Sequence, residues 1–560
     1  MAELSLEEKV RRLELLHKIG VALSAEQNKD RLVEMILLEA KALCNADGGT
    51  LYLRTDDEHL RFAILRNDTL GTALGGSGGR TVDLPAIPMY DPLTGEANRH
   101  NVATYAAALG RSVNVPDAYD AAGFDFSGTK KFDQRNNYRS KSFLTIPMVN
   151  NENRVIGVLQ LINARDAAGN VIPFGTEEQR LVEALASQAG VALDNQHLLA
   201  GQKQLLESFI QMIASAIDHK SPYTGEHCER VPILTEMIAR SVCQATDGQF
   251  KDFSLSEDEW YELKIAAWMH DCGKITTPVH VMDKATKLEA IFDRIELVRL
   301  RAELLRRDAQ IDFLRRKLAG EANLEALEAA MQMEIETIDQ DLQFLEVANV
   351  GGEFLEPERQ QRIRELGARE LEVGGKKQPF LSQDEVKNLS ISRGTLSNEE
   401  RLIINGHMVQ TIKMLEALPF PRNLRRVPEY AGGHHEKMDG TGYPRGLYGG
   451  EMSIPARIMA IADVFEALTA QDRPYKKGKK LSEAMKIMGF MKRDNHLDPD
   501  LFDHFVSSRV YRQYAEKYLP TELIDEVDEA VLLAIQPKGY TLPDTSVRKA
   551  RWHRFLAEYS

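Results

Sequence analysis

Hydrophobic and polar positions change period along this chain, and the changes divide it. From about residue 17 to residue 200, helical and strand spacing alternate. LVEMILLEAKALC repeats its apolar residues at helical intervals, whereas GGTLYLR, SFLTIPMV and RVIGVLQLINA are short runs rich in Val, Ile, Leu, Thr and Phe, separated by polar turns such as NNEN. The leading segment MAELSLEEKVRRLELL predicts an amphipathic helix capped by Ser5 with Glu8. Residues 1–200 therefore read as an α/β domain of sensor size with an N-terminal helix. Thr176 and Gln179 have the spacing of a capping box, and a proline-free helical stretch follows over residues 176–220. Leu181, Leu185, Leu198, Leu205 and Met212 fall on or near one stripe, which predicts a connecting helix that pairs in a parallel dimer.

Beyond residue 205 the pattern is helical to about 290, resumes near 397 and runs to about 535. This predicts an all-α domain over 205–515 and a helical extension over 516–560. Between its halves, at 289–394, Ile291, Ile295, Val298, Ala302, Leu305 and Ala309 alternate spacings of four and three; after Gly320, Leu324, Leu327, Met331, Ile335, Ile338, Leu342 and Leu345 do much the same. Two such helices joined at a glycine predict an inserted antiparallel helical hairpin. Its arginines are interleaved with acids, as on a solvated face.

The 560 residues exceed what one hydrophobic core serves, so several domains are expected. Hydrophobic residues make up 43% and charged residues 28%, and no apolar run approaches the roughly 18 residues of a membrane span. The N-terminus lacks the basic, apolar and small-residue parts of a secretory signal, so a soluble, cytoplasmic protein without a membrane span is expected. Cys44, Cys228, Cys243 and Cys272 are scattered, unlike a disulfide framework or a zinc knuckle. A formal net charge of −14 disfavours a nucleic-acid polymer as partner. It leaves room for a small phosphate ligand, because metal ions and basic side chains can reverse the field within one pocket.

Histidines beside acids carry the candidate chemistry. His270 and Asp271 stand in AAWMHDCGK, His434 and His435 in GGHHEKMDG, and Asp463 follows an apolar run in RIMAIADVFEAL; His227 lies in YTGEHCERV and His407 in IINGHMVQ. A carboxylate within an apolar helix is costly without a partner. Imidazoles and carboxylates without clustered thiolates suit Fe, Mn, Co or Ni. An adjacent His-Asp pair can serve two ions through a bridging carboxylate. Two ions about 3.5–4 Å apart can activate water and neutralise a phosphodiester together, so attack on phosphorus is the expected reaction.

HDCGK at 270–274, then HHEKMDGTGYP at 434–444, then IADVFEALTAQDRPYK resembles the HD-GYP family of HD-superfamily phosphohydrolases, in family order over residues 205–515. The resemblance implies a metal-dependent phosphodiesterase that hydrolyses cyclic di-GMP to pGpG or GMP, with cyclic GMP-AMP hydrolysis as the alternative. A signalling adaptor that binds partners such as diguanylate cyclases through the Gly-Tyr-Pro surface is a further alternative, weakened by the intact ligand set. The implied metal ligands are His227, His270, Asp271, His407, His434, His435 and Asp463, for two divalent ions, Fe or Mn. Lys274 would hold a phosphate oxygen or protonate the leaving group. Arg473 and Lys476 would contact substrate phosphates, while Asp439 and the Gly442, Tyr443, Pro444 turn would shape the rim, the glycine by adopting a backbone that other residues resist. Members with three metals carry a glutamate where this chain has Tyr223, and Glu226 lies next to His227, so two ions are expected.

FDQRNNYRSKSFLTIPM, with RVIGVLQLINA and PFGTEEQRLVEALASQAGVAL, resembles GAF domains, especially those of cyclic-nucleotide phosphodiesterases. Lys131, Phe132 and Asp133 match part of their NKFDE-type motif, which implies a structural support or a pocket for a cyclic nucleotide or other small ligand. A GAF domain acting only as a dimerisation platform is the alternative.

Overall fold

The computed structural model describes residues 6–78, 80–91, 93–121, 123–220, 227–352, 354–470 and 478–558. Two compact units divide the chain, Met1–Leu206 and Glu207–Ser560. No helix among the described residues is long and apolar enough to cross a membrane.

In the first unit, helices α1 (Leu6–Ala25) and α2 (Lys29–Cys44) precede β1 (Ala46–Arg54), β2 (His59–Asn67), β3 (Thr72–Gly75) and β4 (Ile87–Pro88). Then come α3 (Val102–Leu109), β5 (Val113–Val115), α4 (Ser127–Asn136), β6 (Phe143–Val149), β7 (Val155–Arg165), β8 (Val171–Ile172) and α5 (Thr176–Asp218). The sheet is antiparallel, ordered β3-β2-β1-β7-β6-β5, with β4 added to β2 and β8 to β7. Alternation along each strand sends its residues to two faces. On one face Leu51, Ile146, Leu159 and Leu161 pack with Leu37 of α2 and Leu185 of α5. On the other, Tyr52 and Val158 pack with Ala103 and Ala107 of α3. There the Gln160 carboxamide donates to Thr145 Oγ1 (3.1 Å) and accepts from the Tyr52 hydroxyl (3.2 Å).

Of three expectations for this unit, one changes. Ser5 lies outside the described residues. The Gln179 carboxamide accepts from Asn114 (3.1 Å) and donates to Glu183 (2.9 Å), so it braces β5 rather than closing a box with Thr176. On the α5 stripe, Leu185 is core, whereas Leu198, Leu205 and Met212 are exposed.

The second unit is mostly helical. Helices α6 (His227–Cys243), α7 (Glu257–Met269) and α8 (Val279–Met282) precede the insertion, and α13 (Asn398–Ala417), α14 (Val427–Gly432) and α15 (Ile454–Thr469) follow it. Further helices run from Leu481–Arg493 to Thr545–Glu558. Ser256 with Glu259 and Ser397 with Glu400 form complete capping boxes that fix where α7 and α13 start. The core gathers Phe465 of α15 against Phe505 and Tyr514, rings that each contribute about 2–3 kcal/mol through burial.

The insertion holds more than a hairpin. Helices α9 (Ile295–Leu318) and α10 (Leu324–Val350) run antiparallel, joined by Arg299–Glu346 and Arg306–Asp339 ion pairs, with Gly320 left-handed at the corner. Helix α11 (Pro357–Ala368), the ribbon β9 (Glu370–Val373) and β10 (Lys376–Pro379), and α12 (Gln383–Leu389) complete a core of its own. Ile291 precedes α9 and is exposed instead of joining the seam. Two buried lysines fasten the neck. Lys284 donates to Glu400 (2.7 Å) at the start of α13, and Lys287 donates to the carbonyls of Leu389 (3.0 Å) and Ile391 (2.7 Å).

Candidate metal centre

Each candidate ligand sits where a helix begins, ends or packs most closely. His227 is the first residue of α6, His270 ends α7, and Asp271 opens the 3₁₀ turn Cys272–Thr276; His407 lies within α13, His434 and His435 follow α14, and Asp463 belongs to α15. Gly273 makes the close approach possible. A Cβ there would meet the His407 carbonyl oxygen at 2.0 Å and Thr411 N at 2.5 Å, and the Gly273 amide donates to Thr411 Oγ1 (2.9 Å). The turn carrying Asp271 is thus pressed onto the helix carrying His407.

The side chains converge in two sets that share one carboxylate. Possible ligand atoms of His227, His270, Asp271 and Asp463 lie within 4.8 Å of one another, and so do those of Asp271, His407, His434 and His435. Asp271 Oδ2 is 3.2 Å from His270 Nε2 and 3.6 Å from His227 Nε2, while Oδ1 is 3.1 Å from His407 Nε2 and 3.9 Å from His434 Nε2. Asp463 Oδ1 is 3.3 Å from His227 Nε2. All seven residues named from the sequence as ligands are brought together.

Backbone carbonyls set the tautomers. Nδ1 of His270, His407 and His434 donates to the carbonyl three residues earlier, at 2.7, 2.5 and 2.6 Å. A carbonyl only accepts, so each Nδ1 carries the proton and a neutral ring turns its Nε2 lone pair inward. Those three Nε2 atoms and Asp271 Oδ1 are buried without a hydrogen-bond partner among the described residues. Acceptors facing acceptors in a buried space repel, and a cation between them removes the conflict. The donor set fits metal ions.

Electrostatics agree at His434 and His435. At His227 burial opposes a charge, but Glu466, Asp271 and Asp463 hold the ring well above the ordinary imidazole range, so an ion there would take the place of a proton. Burial, then the neighbouring His270, lowers His434 to about 4, and burial, then His434, holds His435 well below the ordinary range, so both are neutral donors near pH 7. Burial opposes ionisation of Asp271, yet Lys274 and the histidines outweigh it and hold the carboxyl well below its usual range. Burial also opposes a charge on Lys274, but Asp271 and Asp463 keep it above the ordinary lysine range, as an ammonium ion paired with Asp271. Burial pushes the Cys272 thiol up to about 12 and Cys228 well above its usual value, which leaves both cysteines as poor ligands beside the site.

Glu466 was not singled out from the sequence. It lies one turn beyond Asp463 on α15, is buried, and accepts from His227 Nδ1 and from Arg230 Nε (2.7 Å). Its signal was a second acid inside the apolar run AIADVFEAL. Glu436 went unassigned too. Its carboxylate accepts from the amides of Arg445 (2.7 Å), Gly446 (3.1 Å) and Leu447 (2.9 Å), closing the rim loop, although burial pushes it up to about 7.

At that rim Tyr443 stacks on His435, with centroids 4.9 Å apart and planes 18° apart, and Asp439 accepts from the Thr441 amide (2.9 Å). Left-handed backbone falls on Gly440 and Gly446 rather than Gly442. Gly442 is instead required by space, since a Cβ there would meet Lys437 N at 2.4 Å. Tyr223, Glu226, Arg473 and Lys476 lie outside the described residues. In the first unit Asp133 is buried and bonded to Tyr119 and Ser140, whereas Lys131 and Phe132 are exposed.

Residues 28–193 match the GAF domain family, and residues 383–501 match an HD domain family. The second match takes in His407, His434, His435 and Asp463 but begins only at the last helix of the insertion, so His227, His270 and Asp271 fall outside it. A 3'3'-cGAMP-specific phosphodiesterase of Vibrio cholerae, numbered 1, is 43% identical over 130 residues, 23% of this chain and 29% of that protein. Another from the same organism, numbered 3, is 24% identical over 326 residues, 58% of this chain and 42% of that protein. A cyclic di-GMP phosphodiesterase of Pseudomonas aeruginosa is 47% identical over 75 residues, 13% of this chain and 17% of that protein. The chain thus spans less than half the length of each of these relatives.

Proposed function

We propose that this chain, with its GAF-domain and HD-domain matches, is a metal-dependent phosphodiesterase of the HD-GYP type acting on a cyclic dinucleotide, with output regulated through the GAF domain. The observation that carries this reading is Asp271, whose two oxygens face two separate histidine sets. His227, His270, Asp463 and Asp271 would hold one ion; His407, His434, His435 and Asp271 would hold the second. Fe or Mn suits these nitrogen and oxygen donors. When bound, the ions supply charge neutralisation at the phosphodiester and acidify water for attack on phosphorus.

The chain's own groups do the rest. Backbone carbonyls orient three imidazoles, Glu466 with Arg230 orients His227, and Tyr443 holds the open face of His435. Lys274 is positioned as an ammonium donor to a phosphate oxygen or to the leaving oxygen. Arg473 and Lys476 would grip the phosphates, a fork and a point charge.

The end of α5 offers a route for regulation. Asp218, its last residue, accepts from the Cys228 amide (3.0 Å) beside His227, and Lys220 just beyond donates to the Thr277 carbonyl (2.7 Å) at the turn that carries Asp271. A shift in α5 would move both halves of the ligand set. Its exposed Leu198, Leu205 and Met212 repeat every seven residues and suit a parallel homodimer. The GAF ligand would be a cyclic nucleotide or another small molecule.

Cyclic di-GMP is the proposed substrate, hydrolysed to pGpG or GMP; the names of the Vibrio relatives favour 3'3'-cGAMP as the second reading. Turnover of each compound by anaerobically purified protein supplied with Fe or Mn is the test. Hydrolysis of one or both is expected, and full metal loading without hydrolysis of any cyclic dinucleotide contradicts the reading.

A further inference from the structure

Helix α9 has two apolar faces, and among the described residues only one is packed. Ile295, Val298, Ala302, Leu305 and Ala309 are buried in the insertion core. Leu297, Leu300, Leu304, Ile311, Leu314 and Leu318 are exposed, Leu300 at 63% and Leu318 at 87%. At 100° per residue the two stripes are centred about 170° apart, on opposite sides of the helix. The exposed stripe is a heptad seam. Positions 297, 304, 311 and 318 form one apolar row, and 300, 307 and 314 form the other, broken only by Arg307. It runs from Leu297 to Leu318, about 32 Å along α9.

We infer that this outer face of α9 docks onto the same face of a second copy of this chain, in antiparallel orientation. The seam selects its occupant. When the two rows interlock antiparallel, Leu297 lies opposite Leu314 of the second copy, Leu300 opposite Ile311, and Leu304 opposite Arg307. Every layer then has an apolar member, and Arg307 keeps its own Glu303 (3.0 Å) as counter-charge. In that register Glu296 of one helix flanks Lys317 of the other, an attractive pair that the two-fold axis repeats. A parallel pairing would instead place Arg307 against Arg307 in one layer and Glu303 beside Asp308. Charge therefore favours the antiparallel arrangement, and the same patch serves both copies, as a two-fold contact requires. The contact is separate from the α5 seam.

The test uses the full chain with single cysteines introduced on the exposed face, the wild type with its four native cysteines setting the background. Mild oxidation of a mixture of Leu297→Cys and Leu314→Cys is expected to give a 297–314 cross-link, whereas Leu318→Cys alone gives none, since its twins lie about 37 Å apart in this register. Adding Leu300→Glu, at an exposed position that leaves the fold intact, is expected to lower the 297–314 cross-link at least tenfold. Absence of the 297–314 product overturns the proposal, and so does a 318–318 product, which reports a parallel pair. Binding of the wild type to anionic lipid vesicles that Leu300→Glu abolishes, without any cross-link, assigns the face to a membrane surface and equally overturns it.

Discussion

Two clusters of buried polar groups, one in each unit, differ in how they are closed. In the sheet unit, Asp133 accepts from the Tyr119 hydroxyl, the Ser140 amide and the Ser140 hydroxyl, each at 2.8 Å. Both of its oxygens are used, so the group costs little to bury and ties the loop after α4 to its neighbours. In the helical unit, three imidazole nitrogens and Asp271 Oδ1 face one another with no proton between them. A chain that closes one cluster and leaves the other open has kept the second for something it binds.

Substitutions can break this comparison from either side. Asp271→Asn removes the one charge shared by the two sets. Steady-state hydrolysis is expected to fall on the order of 10³-fold, since several kcal/mol of charge stabilisation is at stake at about 1.4 kcal/mol per tenfold. Asp133→Ala should act the other way. Leaving Tyr119 and Ser140 without their acceptor is expected to destabilise the sheet unit by about 3 kcal/mol in urea unfolding, with metal content unchanged.

Glu466→Gln tests whether orientation of His227 matters apart from its presence. Metal affinity, read by titration of metal-free protein, is expected to weaken about 10–100-fold, with the helical unit still folded by circular dichroism. The smallest effect is a pH effect. Burial, then Lys437, lowers His496 to about 4 from its ordinary 6.5. Its folded value lies below its unfolded one, so the stability it contributes is complete above pH 6.5 and is lost as pH falls through 4. Allowing for its partial exposure, this amounts to about 2 kcal/mol, and His496→Asn should flatten the acid limb of the denaturation profile by that amount.

What the sequence made legible follows from what each residue type leaves in it. Adjacent pairs such as His270-Asp271 and His434-His435, and an acid in an apolar helix, Asp463, are costly enough to be visible without coordinates, whereas His227 and His407 became candidate ligands only through the resemblance to the HD-GYP family. Glu466 escaped because its meaning lies across the fold, in a histidine 239 positions away. The β9–β10 ribbon escaped as well. KKQP carries no apolar alternation, and only the paired Gly374 and Gly375, both with positive φ, marked the turn. On α9 the buried stripe was read and the exposed one was not, since both repeat at helical spacing and only burial tells them apart. In the GAF domain, Lys131, Phe132 and Asp133 fell in one motif, yet their neighbours separate one buried anchor from two exposed side chains.

The account rests on Asp271 serving two ions. Elemental analysis of protein purified without oxygen, alongside Asp271→Asn, measures this directly. Two Fe or Mn ions per chain are predicted for the wild type and fewer than one for the variant; a single ion in the wild type, or an unchanged content in the variant, would contradict it.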